Sequence, residues 1–165
     1  MTGEAGFIAV VSTLNDHDVE YLVVGMLAAV LQGAPAVTLD IDIVHRRSSE
    51  NVTRLLAALR DLDARYRNDP RTLRPGDSHL IGPGHQLLVT RYCDLDVLGS
   101  IDGGKDYDAL LADTVVVDLQ GVAVRVLELS RVIAAKQAAG RPKDLAALPM
   151  LRATLDELRK LGRKP

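Results

Sequence analysis

Tryptophan is missing from these 165 residues, phenylalanine occurs once and tyrosine four times, so aromatic residues make up only 3% of the chain. The core must be packed from Val, Leu, Ile and Ala, and aromatic stacking is not expected to dominate any contact with nucleic acid. Cysteine occurs once, at Cys93, which excludes an internal disulfide. His17, His45, His79 and His85 are scattered, so no Cys/His cluster has zinc-finger spacing. No apolar stretch approaches the roughly 20 residues that would span a bilayer. No basic region followed by an apolar run opens the sequence, and a cytoplasmic protein with no membrane partner is expected. Lysine and arginine are absent from residues 1–45, which hold six acids, whereas residues 125–165 hold ten basic residues against four acids. The formal net charge of −2 hides this asymmetry. One end has the composition of a cation-handling surface and the other of a phosphate-handling one, or else the C-terminal helices simply carry Lys and Arg on solvated faces.

What is present is 47% hydrophobic and 25% charged, a globular balance, and the length fits one domain, 1–165, with 127–165 as a helical C-terminal subregion. Residues Gly6–Leu14 have helical apolar spacing and stop at Asn15-Asp16; Tyr21–Val24 is a short apolar run closed by Gly25, as for a strand buried on both faces. Met26–Gln32 reads as a helix, ended by Gly33 and barred from continuing by Pro35. Ser48 or Ser49 caps an amphipathic helix running to about Leu62. Residues Asp63–Gly84, with four arginines, three prolines and little periodicity, read as a long surface loop. Strands follow at 85–90 and 92–98, then a short helix at 107–112, a hairpin of 114–118 with 122–126 turning at Gln120-Gly121, and helices at 127–139 and from Pro142 to about Leu161. The fold class expected is α/β or α+β, a mixed sheet flanked by helices.

The stretch Thr38–Val44 alternates with a period of two, which sends Thr38, Asp40 and Asp42 to one face and Leu39, Ile41 and Ile43 to the core. Two carboxylates at i and i+2, roughly 7 Å apart at the backbone, repel one another unless a cation, a donor or water compensates. A second run, Tyr92–Leu98, alternates likewise, with Tyr92, Asp94 and Asp96 on one face. If the two strands are neighbours, Asp40, Asp42 and Asp96 or Asp94 converge on one spot, and carboxylates are the hard oxygen ligands that Mg²⁺ prefers. The alternative is a pair of solvated polar faces.

Tyr21–Val44, with its order of strand, glycine turn, helix with a small-residue face, Gly and Thr-x-Asp-x-Asp, resembles the opening of the nucleotidyltransferase superfamily with the DNA polymerase β type of fold. Lys136-Gln-Ala-Ala-Gly-Arg141-Pro-Lys143-Asp144 resembles the C-terminal motif of its small prokaryotic branch, which includes toxins of abortive-infection toxin–antitoxin pairs. The resemblance implies that fold with C-terminal helices, a Mg²⁺ or Mn²⁺ site at Asp40, Asp42 and Asp96, and Asp96 (or Asp94) as base for the attacking hydroxyl. It further implies Gly25 at the phosphate turn, and Lys136, Arg141 and Lys143 as charges for a triphosphate or acceptor, with Asp144 tethering one of them. The expected function is transfer of a nucleoside monophosphate from an NTP to a hydroxyl of RNA, such as tRNA, or of protein, in a toxin with an antitoxin partner. Two positions depart from the pattern: Met26 stands where the superfamily has a second Gly or Ser, and Ala36 where it has a basic residue. They motivate the alternative of a catalytically weakened relative that binds a nucleotide or a partner.

Overall fold

A computed structural model describes residues 3–162; Arg163 and Lys164, two of the ten basic residues of the C-terminal stretch, lie outside them. The order is α1 (Glu4–Asp16), β1 (Tyr21–Val24), α2 (Gly25–Leu31), β2 (Asp40–His45), α3 (Ser49–Asp61), β3 (Arg65–Tyr66), α4 (Asp77–Ile81), β4 (His85–Val89), β5 (Asp94–Leu98), α5 (Tyr107–Leu110), a 3₁₀ turn (Leu111–Asp113), β6 (Thr114–Leu119), β7 (Val122–Leu127), α6 (Leu129–Ala139) and α7 (Pro142–Lys160). The strands form one mixed sheet in the order β3-β4-β5-β2-β1-β7-β6. β2 runs parallel to β5 and antiparallel to β1, and β1 runs parallel to β7. This is the α/β architecture expected, with helices flanking a mixed sheet.

Local chemistry accounts for most boundaries. The Ser48 hydroxyl caps α3 by accepting from the Asn51 N–H, satisfying one of the orphan donors of the first turn. Gly140 ends α6 with φ +65°, a left-handed conformation that glycine adopts without steric cost, and Pro142 opens α7. The centre of the sheet is well buried: all four residues of β1 are covered, as are Ile41, Ile43 and Val44 of β2 and Leu95 and Val97 of β5. Burying these branched side chains, each worth about 1.5–3 kcal/mol, fixes the register in which β2 and β5 lie.

Three expectations are corrected. The 63–84 segment is not one structureless loop, because Arg65–Tyr66 pairs antiparallel with β4 and Asp77–Ile81 is a helix turn whose Leu80 is buried. Elements of two and five residues are too short for a hydrophobic period to repeat, so they leave no pattern to read. β2 begins at Asp40 and not Thr38, and Leu39, expected in the core, is 74% exposed. Pairing with β5 starts only at Asp40↔Asp94, so Leu39 lies before the sheet covers it. Leu127 closes β7 instead of opening α6.

Candidate functional site

The parallel register of β2 and β5 sets Asp40 opposite Asp94 and Asp42 opposite Asp96. Alternation puts all four carboxylates on one face while Ile41, Ile43, Leu95 and Val97 go into the core on the other. Ligand oxygens of Asp40, Asp42 and Asp96 lie within 4.8 Å of one another. Asp94 stands beside this trio, and the Thr38 hydroxyl donates to Asp40 Oδ1 at 3.0 Å.

Gly25 closes the far side of Asp42. Its φ is +66°, and a methyl group placed on it would overlap Asp42 Oδ2. Both the backbone angle and the contact require glycine there. Met26, next in α2, is half-buried and packed against the core.

Like charges crowd this end of the sheet. Burial, then the charges of Asp40 and Asp96, push the Asp42 carboxyl up to about 7, against the pull of Lys136 and Lys143. Burial also raises Asp96 above its ordinary value despite an arginine beside it. That arginine is Arg67, just past β3. Its Nη2 donates to Asp96 Oδ1 and to the Leu88 carbonyl, and its Nε lies 3.2 Å from Asp94 Oδ2. Sequence reasoning missed Arg67, since it is one of four arginines in an aperiodic stretch and nothing local points it at Asp96.

The basic residues gather round Asp144, in the first turn of α7. Its carboxylate is 1% exposed and takes Arg141 Nε at 2.6 Å and Lys136 Nζ at 3.4 Å. Burial works the other way, yet hydrogen bonds and charge from Arg141 and Lys136 hold this carboxyl below its ordinary value. Asp144 thus tethers two of the basic side chains, while Lys143 is exposed. Lys136 and Lys143 both act on Asp42, and Asp42 in turn on Arg141. The acidic and basic groups therefore share one electrostatic neighbourhood. Cys93 adds no nucleophile, because burial and the nearby Asp94 and Asp40 push its thiol up to about 11.

Three carboxylate oxygens at this spacing, on rigid strands and with unbalanced charge, suit a hard divalent cation such as Mg²⁺ or Mn²⁺. Among the described residues no helix is long and apolar enough to cross a membrane. No protein-family model matches the chain, and no curated protein matches it significantly in sequence. Solved structures do match it. A crystal structure from Thermotoga maritima, provisionally described as a nucleotidyltransferase, superposes with a TM-score of 0.54 at 19% identity, over 92% of this chain and 91% of that one. The solution structure of the antibiotic-resistance factor ANT(2'')-Ia superposes with a TM-score of 0.61 at 15% identity, over 92% of this chain and 83% of that one. At these identities the likeness speaks for the fold, and the chain has the nucleotidyltransferase fold.

Proposed function

We propose that this protein is a metal-dependent nucleotidyltransferase that moves a nucleoside monophosphate from an NTP to a hydroxyl acceptor. The observation that carries the reading is the convergence of Asp40, Asp42 and Asp96 within 4.8 Å on two neighbouring parallel strands. Asp40, Asp42 and Asp96 would hold Mg²⁺ or Mn²⁺, which when bound supplies positive charge to the triphosphate and lowers the pKa of a coordinated hydroxyl. The chain's own residues do the rest. Gly25 leaves the space beside Asp42 free of any side chain. Lys136 and Lys143 present positive charge toward the same region, with Lys136 held in place by Asp144. Asp96 is the carboxylate assigned to take the proton of the attacking hydroxyl, its affinity for that proton raised by burial. Asp94 is the second candidate.

The acceptor proposed is RNA, such as tRNA, or a protein, and the resemblance of residues 136–144 to the toxin branch supports a toxin with an antitoxin partner. The test is incubation with labelled NTPs and Mg²⁺ in the presence of tRNA and of total protein. Transfer that disappears in Asp42→Ala is expected; no transfer to any acceptor, or transfer undiminished in Asp42→Ala, removes the reading. Met26 and Ala36 favour a second reading, a nucleotide- or partner-binding relative with weakened catalysis. Calorimetry with the four NTPs, with and without Mg²⁺, separates the two, since tight binding without turnover supports only the second.

A further inference from the structure

Arg67 is bound where a metal ligand is needed. Its backbone N–H donates to the Leu87 carbonyl at 2.9 Å, which extends the β3–β4 pairing by one residue, and Leu87 is the register partner of Asp96. The side chain thus spans the width of β4 to reach the acidic strands. There it donates to the same Asp96 carboxylate that contributes an oxygen to the trio with Asp40 and Asp42. A guanidinium and a divalent cation on one half-buried carboxylate repel strongly, so full occupancy by one weakens the other.

The grip is also one that can be released. The Arg67 side chain is 26% exposed, so freeing it does not strand a buried charge. Its Nε meets Asp94 as an ion pair, and no aligned hydrogen bond joins them. The turn that follows is held in an uncommon conformation, with Asn68 at φ +60° and the β-branched Thr72 at φ +52°. Asp40 and Asp42, by contrast, sit in a strand paired on both sides.

We propose that Arg67 is a displaceable counter-ion of the acidic site: it pairs with Asp94 and Asp96 in the metal-free protein, leaves Asp96 when a divalent cation takes that carboxylate, and then turns its guanidinium to the phosphates of the nucleotide. The inference rests on the metal reading of Asp40, Asp42 and Asp96.

The experiment is titration with Mn²⁺ alone, followed by paramagnetic resonance of the free ion, on the wild type, Arg67→Ala and Asp42→Asn. This is followed by titration of each Mn²⁺-loaded protein with a non-hydrolysable NTP analogue. Arg67→Ala should bind Mn²⁺ roughly tenfold tighter, as the loss of one charge-assisted contact implies, and the analogue roughly tenfold more weakly. A merely structural Arg67 would weaken both together. Wild type that binds Mn²⁺ while Arg67→Ala binds it equally or less tightly overturns the counter-ion and leaves the metal site standing. Absence of Mn²⁺ binding in both proteins overturns the metal reading and this inference with it. Unchanged analogue affinity removes the phosphate step. In the unmodified protein, the Arg67 Nε–Hε resonance should shift on adding Mg²⁺ and stay in place in Asp40→Asn; a resonance indifferent to saturating metal also overturns the proposal, whatever the fate of the variants.

Discussion

Asp42 and Asp144 are the same residue type, both largely removed from water, yet their carboxyls move in opposite directions. Asp42 is pushed up to about 7 because burial and two neighbouring carboxylates act together. Asp144 is held below its ordinary value because hydrogen bonds and charge from Arg141 and Lys136 outweigh its burial. Desolvation penalises either charge, so the partners decide the outcome. The end of β2 and β5 is consequently under-neutralised, which suits a place for a cation to bind. The start of α7 is neutralised by the chain itself, which suits an anchor that fixes where basic side chains stand.

Asp42→Asn cuts most deeply into this comparison. It should lower nucleotidyl transfer on the order of a thousandfold, the several kcal/mol that a lost metal ligand implies, measured with labelled NTP at saturating Mg²⁺. In the metal-free protein the same variant should melt higher than wild type at pH 8, since it removes a charge that the fold disfavours. A lower melting temperature would mean that Asp42 is neutralised by its surroundings as well as Asp144 is.

The two carboxylates also give opposite pH slopes. Because the folded value of Asp42 lies above its unfolded one, its contribution to stability is complete below about pH 4 and is lost as pH rises through about 7. Because the folded value of Asp144 is depressed, its contribution is present above the ordinary carboxylate value and is lost as pH falls below it, through the lowered folded value. Urea unfolding in EDTA should therefore show stability falling by a few kcal/mol from pH 5 to pH 8, and Asp42→Asn should flatten that fall. Adding Mg²⁺ at pH 8 should restore stability in wild type and leave Asp42→Asn unchanged, because a ligand stabilises only the state it binds.

Asp144→Ala should cost about 2 kcal/mol, less than a fully buried ion pair because Arg141 is mostly exposed. Its signature in denaturant unfolding is a shifted midpoint at unchanged slope. Gly25→Ala should cost about 1–2 kcal/mol from the left-handed backbone alone, with an added loss of Mn²⁺ affinity as the methyl displaces Asp42. An unaltered Mn²⁺ affinity would show that Asp42 needs no such clearance to reach a metal.

The sheet and most helices were legible because their signals are local. A period of two in Asp40–Val44 and Asp94–Leu98, a capping Ser48 and the glycines at 25 and 140 each report on a few adjacent residues. Segment 63–84 was not legible, since Arg65–Tyr66 becomes a strand only by pairing with a β4 that follows about twenty residues later. The same holds for Leu39, whose exposure depends on where its neighbour strand starts.

By itself the sequence determined the pairing of Asp40 with Asp42 on one strand face, the second acidic run at Asp94 and Asp96, and the basic residues at 136–143, because alternation and composition belong to the chain. Only the tertiary structure decided that β2 and β5 are parallel neighbours in a register that brings three carboxylates to one point. It alone decided that Asp144 is buried and holds both Lys136 and Arg141, where a tether to one basic residue was expected, and that Arg67 reaches across β4 to Asp96. Those facts depend on strand order and on side chains from distant segments meeting, and no spacing along the chain encodes a meeting of that kind.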